Sequence, residues 1–273
     1  MATNQFALES LLPPTTVKTS SDDPQTNQII ESIQAMIGKK QTIRILDFGA
    51  GKGRLLSTIS EVCRTDGISV KSWLDYYAFD LCPHDKEECV SVISESYESA
   101  NDRYFNDETR LLENIALGTF DLIIMCNVFH EIDPRHWLDL FNVNGAIAQA
   151  LKADGIALIV EDQLIPTGEK AYQNGFLVLD VLQFRKLFKI DETYVVDDAR
   201  GDGRLKAHFI PKGYLSNIDP QSRVDALDSL LHTAKTRVRE LRSSESTYKN
   251  GKLHGFWVQQ LANSQLALSE LTK

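Results

Sequence analysis

Two stretches of the chain carry residue types and spacings suited to chemistry. In Arg44-Ile45-Leu46-Asp47-Phe48-Gly49-Ala50-Gly51-Lys52-Gly53-Arg54-Leu55-Leu56, a short apolar run passes through a glycine-rich turn into a helical pattern. Glycine at such a turn lets the backbone approach a ligand closely, and the helix that follows points its first N–H groups at it. A nucleotide-like ligand is implied. The spacing is not the GxGxxG of nicotinamide and flavin sites, because the glycines alternate at 49, 51 and 53 and position 54 is Arg. The second stretch is Cys126-Asn127-Val128-Phe129-His130-Glu131-Ile132, again directly after an apolar run. His130 has two readings: a general base with a pKa near working pH, or a histidine hydrogen-bonded to backbone beneath a sheet edge. Glu131 reads as a solvated or salt-bridged acid or as a substrate contact. Glu161 and Asp162, which end a further apolar run, share that ambiguity.

Asp47-x-Gly49-x-Gly51-x-Gly53 resembles the first motif of the class I S-adenosylmethionine-dependent methyltransferases. By that resemblance Asp47 takes part in holding the amino-acid portion of the cofactor, while Gly49 and Gly51 make room for it within a turn completed by Ala50 and Gly53. Asp80, closing Tyr77-Ala78-Phe79-Asp80, is similar to the family's acid that accepts hydrogen bonds from both ribose hydroxyls, with Leu81 beside it. Asp107, in Phe105-Asn106-Asp107-Glu108, resembles the residue near the adenine amine. Asn127, His130 and Glu131 resemble the loop that lines cofactor and acceptor, and the resemblance spans residues 40 to 215. One departure stands out: Asp80 follows Asp47 by 33 residues, where ~20 is usual for a ribose-binding acid in such folds. A longer first helix or an insertion around Asp66 to Trp73 accounts for the excess, with Asp85 or Asp75 as the alternative acid.

The resemblance implies an enzyme that transfers a methyl group from S-adenosyl-L-methionine to an oxygen or nitrogen of a small or medium-sized acceptor. Its alternatives are a catalytically silent cofactor-binding scaffold or sensor, docking a protein partner or a second copy through C-terminal helices, and an RNA methyltransferase. The loop after Cys126 is not the Asn-Pro-Pro-Tyr type and no Pro-Cys pair occurs, which disfavours methylation of adenine N6 and cytosine C5. No paired acids stand at metal-ligand spacing, so a magnesium-dependent catechol-type reaction has little support and no metal is expected.

These residues need elements to hold them. Ile43 to Phe48, Tyr76 to Leu81, Phe120 to Cys126 and Ile156 to Glu161 read as buried strands, alternating with helices such as Gly53 to Arg64 and Pro134 to Leu151. That alternation predicts a Rossmann-like α/β fold, a seven-stranded, mostly parallel sheet with helices on both faces. A helix near Leu177 to Phe188 is followed by Thr193 to Asp198, a turn at Arg200-Gly201-Asp202-Gly203, and Leu205 to Ile210, an antiparallel edge hairpin. Asp23-Pro24, Asp133-Pro134 and Asp219-Pro220 each set a capping carboxylate before a proline suited to the first helical position. The first of these helices buries Ile29, Ile30, Ile33 and Ile37 and stops at Gly38. Val224, Leu227, Leu231, Ala234, Val238 and Leu241 form a 3,4 seam. Leu253, Trp257, Leu261, Leu268 and Leu271 supply a second helix after a turn at Asn250-Gly251, giving a C-terminal helical hairpin. The expected organisation is an extended arm over 1–22, an α/β domain over 23–215 and a helical extension over 216–273.

Composition sets the outer bounds. The 273 residues are 42% hydrophobic and 25% charged, which fits a globular chain and excludes disordered or fibrous classes. No apolar run approaches the ~18 residues of a membrane helix, and Met1 to Leu12 lacks a secretory pattern, so a cytoplasmic protein without membrane contact is expected. Cys63, Cys82, Cys89 and Cys126 form no CxxC pair and read as reduced thiols. The net charge of −9 argues against a general nucleic-acid binder. It is unevenly spread, with 17 basic and 31 acidic side chains through Ala199, against 12 and 7 from Arg200 onward.

Overall fold

The computed structural model describes residues 23–37, 42–165, 176–191, 197–200 and 203–271. The expected arm over 1–22, the stop at Gly38, the segment 166–175, and residues 193–196 and 201–202 of the expected hairpin lie outside the described residues. The strands are β1 (Ile43–Phe48), β2 (Leu74–Phe79), β3 (Tyr104–Phe105), β4 (Phe120–Cys126), β5 (Leu151–Asp162), β6 (Asp197–Arg200) and β7 (Leu205–Pro211). They form one seven-stranded sheet in the order β3-β2-β1-β4-β5-β7-β6. The β2/β3, β1/β4 and β4/β5 pairs are parallel, whereas β7 runs antiparallel to β5 and β6. This is the expected mostly parallel α/β sheet with its antiparallel edge hairpin. The chain divides into two compact units, one running to Ile43 and then over Gly49–Leu111, the other over Arg44–Phe48 and from Leu112 on.

In the first unit the helices are α1 (Pro24–Ile37), α2 (Arg54–Thr65) and α3 (Lys86–Tyr97), and the unit ends within α4 (Glu108–Asn114). Asp23 caps α1 through the Gln25 N–H at 3.2 Å and the Thr26 hydroxyl at 2.6 Å. Ile29 and Ile33 are buried and Ile30 half-buried, and the side chain of Ile37 lies outside the description. The strand expected at Tyr76 to Leu81 begins two residues earlier, which leaves Asp80 and Leu81 beyond its tip. The long interval before Asp80 is spent as the sequence suggested: α2 ends at Thr65 and a single 3-10 turn, Val70–Ser72, precedes β2. Sequence periodicity gives little sign of α3, because its buried side chains are Cys89 and Ile93 alone.

In the second unit the strand cores are nearly continuous apolar runs, as a sheet covered on both faces requires; Phe120 to Met125 are all buried. The single helix expected over Pro134 to Leu151 is corrected. The chain instead makes a 3-10 turn at Pro134–His136, then α5 (Trp137–Phe141) and α6 (Ala146–Ala150), and Leu151 already belongs to β5. Asn142 forms the break, its side chain accepting the Asn144 N–H at 2.8 Å, the local turn chemistry that competes with helix. Gly145 seals it: a Cβ there would lie 2.4 Å from the carbonyl of Leu140. The helix α7 (Val181–Phe188) starts later than Leu177 because Asp180 and Gln183 form a capping box.

After the short α8 (Lys212–Leu215), α9 (Pro220–Arg242) and α10 (Tyr248–Leu271) pack on each other as the expected helical hairpin. Asp219 caps α9 as predicted, accepting the Ser222 N–H at 2.8 Å. Two details differ from the sequence reading. The turn falls at residues 243–247, and Asn250-Gly251 is inside α10, where the Asn250 side chain donates to the Glu245 carbonyl at 2.8 Å and ties the turn to the helix. The buried stripe of α10 is Phe256, Gln260, Ser264 and Ala267, while Leu253, Trp257, Leu261, Leu268 and Leu271 are half-buried. Polar residues replace leucine on that stripe because their hydrogen bonds are satisfied inside the protein, as the site below shows.

Candidate active site

The glycine turn belongs to the first unit, and its glycines share one backbone demand in different surroundings. Gly49, Gly51 and Gly53 have φ of 84, 50 and 77°, all in the left-handed region that favours glycine. A Cβ on Gly53 would lie in ordinary contact with Cys89 and Val92 of α3 at 3.4–3.5 Å, so its left-handed backbone rather than crowding calls for glycine. At Gly51 a Cβ would meet only an Asp85 carboxylate oxygen at 3.9 Å. Packing therefore does not fill that space, and it is open to a ligand. Gly53 is the cap of α2 and offers no side chain to the first-turn N–H groups, the arrangement that receives anionic or polar ligands.

Asp80 closes this turn. Its Oδ2 accepts the Gly51 N–H at 2.7 Å and its Oδ1 the Cys82 N–H at 2.8 Å. The N–H groups of Gly49 and Ala50 both donate to the Phe79 carbonyl, at 2.8 and 3.1 Å. A carboxylate offers about four lone-pair sites, so Asp80 retains acceptor capacity after both bonds. Of its alternatives, Asp75 sits at the start of β2 in an ion pair with Arg103 at 2.7 Å, away from the strand tip, and Asp85 lies 4.0 Å from Lys52. Burial, then the charge of Asp80 beside it, pushes the Tyr104 phenol up to about 12, so it stays a neutral donor. Leu81 is exposed to 66%. Asp107 is exposed and accepts the Arg110 N–H at 2.9 Å at the head of α4. The turn and the strand tips thus present carboxylates, bare backbone and an apolar side chain, a donor and acceptor set that fits an adenosyl ligand.

The second unit holds Asp47, Asn127, His130 and Glu131. Asp47 is buried to 3% exposure in β1. Asn127 ends β4 with φ of 54°, a left-handed turn that asparagine tolerates better than other side chains. Its Oδ1 accepts the Asp162 N–H at 3.0 Å and its own N–H donates to the Val160 carbonyl. The chain thereby turns sharply at the tips of β4 and β5.

His130 meets a carboxylate rather than backbone. Its Nδ1 lies 2.5 Å from Oε2 of Glu161, and Oε1 of Glu161 accepts the N–H of Phe129 at 2.9 Å and of His130 at 3.4 Å. Both side chains are almost fully buried, at 2% and 1% exposure, and Nε2 of His130 is 3.9 Å from Oε1 of Glu131. Phe129 anchors the loop in an aromatic core, 5.1 Å from Trp137 and 5.0 Å from Phe184 between ring centres. Strand alternation separates Glu161 from its neighbour: Asp162 turns away to a two-oxygen pair with Arg204 at 2.7–3.1 Å.

A third layer was invisible in the sequence. The His130 carbonyl accepts the Leu177 N–H at 3.1 Å, and the Phe176 ring stands edge-on to the imidazole at 5.2 Å. That segment is gripped by α10: Gln260 accepts from the Val178 N–H at 3.0 Å and donates to the Phe176 carbonyl at 3.1 Å, and Asn263 donates to the same carbonyl at 2.9 Å. Only a polar residue every third or fourth position on an otherwise apolar helix face hinted at this. Among the described residues no cluster of three or more His, Cys, Asp or Glu side chains could hold a metal.

A glycine turn, acids beyond strand tips and a mostly parallel sheet are the frame a methyltransferase of this kind uses. Residues 24–188 match the family described as a methyltransferase domain, and the chain belongs to that family; its methyl donor is S-adenosyl-L-methionine. A search of curated proteins finds no match. Among solved structures it is similar to the PH0226 protein from Pyrococcus horikoshii OT3, at 16% identity over 70% of this chain and 93% of that one, with a TM-score of 0.45. It is also similar to a SAM-dependent methyltransferase from Aquifex aeolicus, at 17% identity over 71% and 99%, with a TM-score of 0.43. The DszA carbon methyltransferase is matched at 18% identity over 54% of this chain but only 37% of its own, with a TM-score of 0.40. No described helix is long and apolar enough to cross a membrane.

Proposed function

We propose that the protein methylates an oxygen or nitrogen of a small or medium-sized acceptor and that His130 is the base of the reaction. The contact between His130 Nδ1 and the buried Glu161 carboxylate carries this reading. A carboxylate on Nδ1 holds the imidazole in the tautomer with its proton on Nδ1 and its lone pair on Nε2, and steadies the charge once a second proton arrives. Asp47, Gly49, Ala50, Gly51, Gly53, Asp80, Leu81, Asp107 and Asn127 are the residues proposed to hold the cofactor. When bound, the cofactor supplies an electrophilic methyl on a sulfonium sulfur. His130, held by Glu161, would take up on Nε2 the proton that the acceptor gives up as it is methylated. Glu131, half-buried with its Oε1 3.9 Å from Nε2 of His130, would orient the acceptor. Burial of the dyad keeps water from competing, and alignment of acceptor and methyl supplies up to roughly 7–11 kcal/mol. The division into an arm over 1–22, a domain over 23–215 and an extension over 216–273 is part of the same proposal.

The test has two stages. Calorimetry with S-adenosylhomocysteine should show binding to the intact protein, and labelled methyl transfer should then be screened over hydroxyl and amine acceptors. His130→Ala should bind the cofactor product normally and transfer at least about 100-fold more slowly. Full transfer by that variant removes the base assignment, and retained binding without transfer to any acceptor favours the silent-scaffold alternative.

A further inference from the structure

The positive charge of the last quarter of the sequence is gathered at the far end of the helical hairpin. Residues 235–252 hold six Lys and Arg against two Glu. One of those acids, Glu240, is taken by Arg237 at 3.0 Å, which leaves Lys235, Arg239, Arg242, Lys249 and Lys252 against Glu245 as the remaining acid of that segment. All five cations are exposed. On α9 the spacing 235, 239, 242 sets three of them on one face, beside the seam in which Ala234 and Val238 are buried. Arg242 crosses to the other helix, its Nε donating to Nε2 of His254 at 3.2 Å. Across the turn stands Tyr248, exposed to 81%, with the Lys252 ammonium 4.9 Å from its ring centre.

We infer that the tip of the α9–α10 hairpin binds single-stranded RNA, its cations on the phosphates and Tyr248 as a stacking platform for a base. Each part of the surface matches one part of that ligand. Lys and Arg neutralise phosphates, and an exposed aromatic ring among cations gives a base a face on which to stack without sequence preference. An anionic lipid surface would call for aliphatic side chains between the cations, and the exposed large apolar side chain of 235–252 is Tyr248 alone. An acidic peptide has no use for the ring. The remainder of the chain is acidic, so it repels a polyanion and confines the attraction to the tip. This explains how a chain of net charge −9, unsuited to general nucleic-acid binding, can still hold RNA locally. The inference does not depend on which acceptor is methylated.

The experiment is fluorescence anisotropy of the full chain with a labelled, unstructured 20-nucleotide RNA of mixed sequence, at 50 and 200 mM salt. Neutralisation of about four phosphates predicts a log–log salt slope near −3, a loss of roughly 60-fold in affinity between the two salts. The triple variant Lys235→Glu, Arg239→Glu, Arg242→Glu should lose binding, and Tyr248→Ala should weaken it roughly ten-fold. All variants should keep the wild-type affinity for S-adenosylhomocysteine, which shows that they fold and separates this test from that of the transferase reading. Absent binding at 50 mM salt, or binding untouched by the triple variant, overturns the inference. So does wild-type affinity in Tyr248→Ala, or equal affinity for vesicles rich in phosphatidylserine or for poly-glutamate.

Discussion

Asp80 serves the chain first, and its proposed role toward the cofactor builds on that. Its carboxylate already accepts two backbone N–H groups, from Gly51 and Cys82, so it shapes the turn before any hydroxyl arrives. Asp80→Ala is expected to weaken S-adenosylhomocysteine binding by about 1.5–3 kcal/mol, the range for hydrogen bonds to a charged group; calorimetry reads it directly, and unchanged affinity would remove Asp80 from the cofactor set. Glu161 has a different proposed part, to hold the His130 tautomer through its 2.5 Å contact with Nδ1. Glu161→Gln keeps the shape but replaces an acceptor by an amide that no longer fixes the His130 tautomer. Transfer should fall at least about 100-fold while cofactor affinity holds. His208 illustrates a buried ring with no chemistry to do. Fully buried in β7, it has no hydrogen-bond partner at either nitrogen among the described residues, and burial lowers its pKa to about 4. The unfolded chain binds the proton near pH 6.5 and the folded chain only near 4, so stability is intact above about 6.5 and drains away as pH falls through that window, by up to roughly 3 kcal/mol. Denaturant titrations at pH 7 and 4.5 should show the loss, and His208→Phe should flatten it.

Elements explain which of these roles could be read in advance. The Gln260 side chain grips the Phe176–Val178 backbone as a neighbouring strand would, on both its donor and its acceptor side. Gln260→Ala orphans the buried Val178 N–H and should cost about 1–3 kcal/mol, a fall in melting temperature of several degrees for a chain of this size; a melting curve that superposes on wild type would contradict it. Neither Gln260 nor Phe176 was legible in the sequence, because the contact joins residues more than eighty positions apart and a polar residue on a helix reads as surface. The glycine turn, β1 and β4 were legible to the residue, since a local pattern sets them: unbroken apolar runs ending in turn-forming residues. The Pro134 to Leu151 region misled because Ile147 and Ala150 continue an apolar period across a break made by Asn142 and Gly145, a break enforced by backbone crowding that periodicity does not register. His130 was found by position, but its partner was decided by the pleat, which turns Glu161 inward and Asp162 outward.

Taken whole, the second unit depends on its C-terminal helices. α9 buries Ala226, Leu227, Leu230, Leu231, Ala234 and Val238, and Gln183 of α7 donates to its Ser229 hydroxyl at 3.2 Å. Leucines that leave water are each worth about 1.5–3 kcal/mol, and a domain's net stability is only about 5–15 kcal/mol. A chain ended at Leu215 should therefore expose its apolar surface, bind a hydrophobic dye and unfold non-cooperatively in denaturant, whereas a cooperative transition would mark 216–273 as dispensable. The four thiols divide differently from the fold: Cys63 and Cys89 are buried, Cys126 is partly covered, and Cys82 stands exposed two residues past Asp80. Its sulfur is a built-in reporter. With Asp80 in its proposed role, adenosine-containing compounds should slow alkylation of Cys82, and a fluorophore attached there should report their titration without any engineered cysteine.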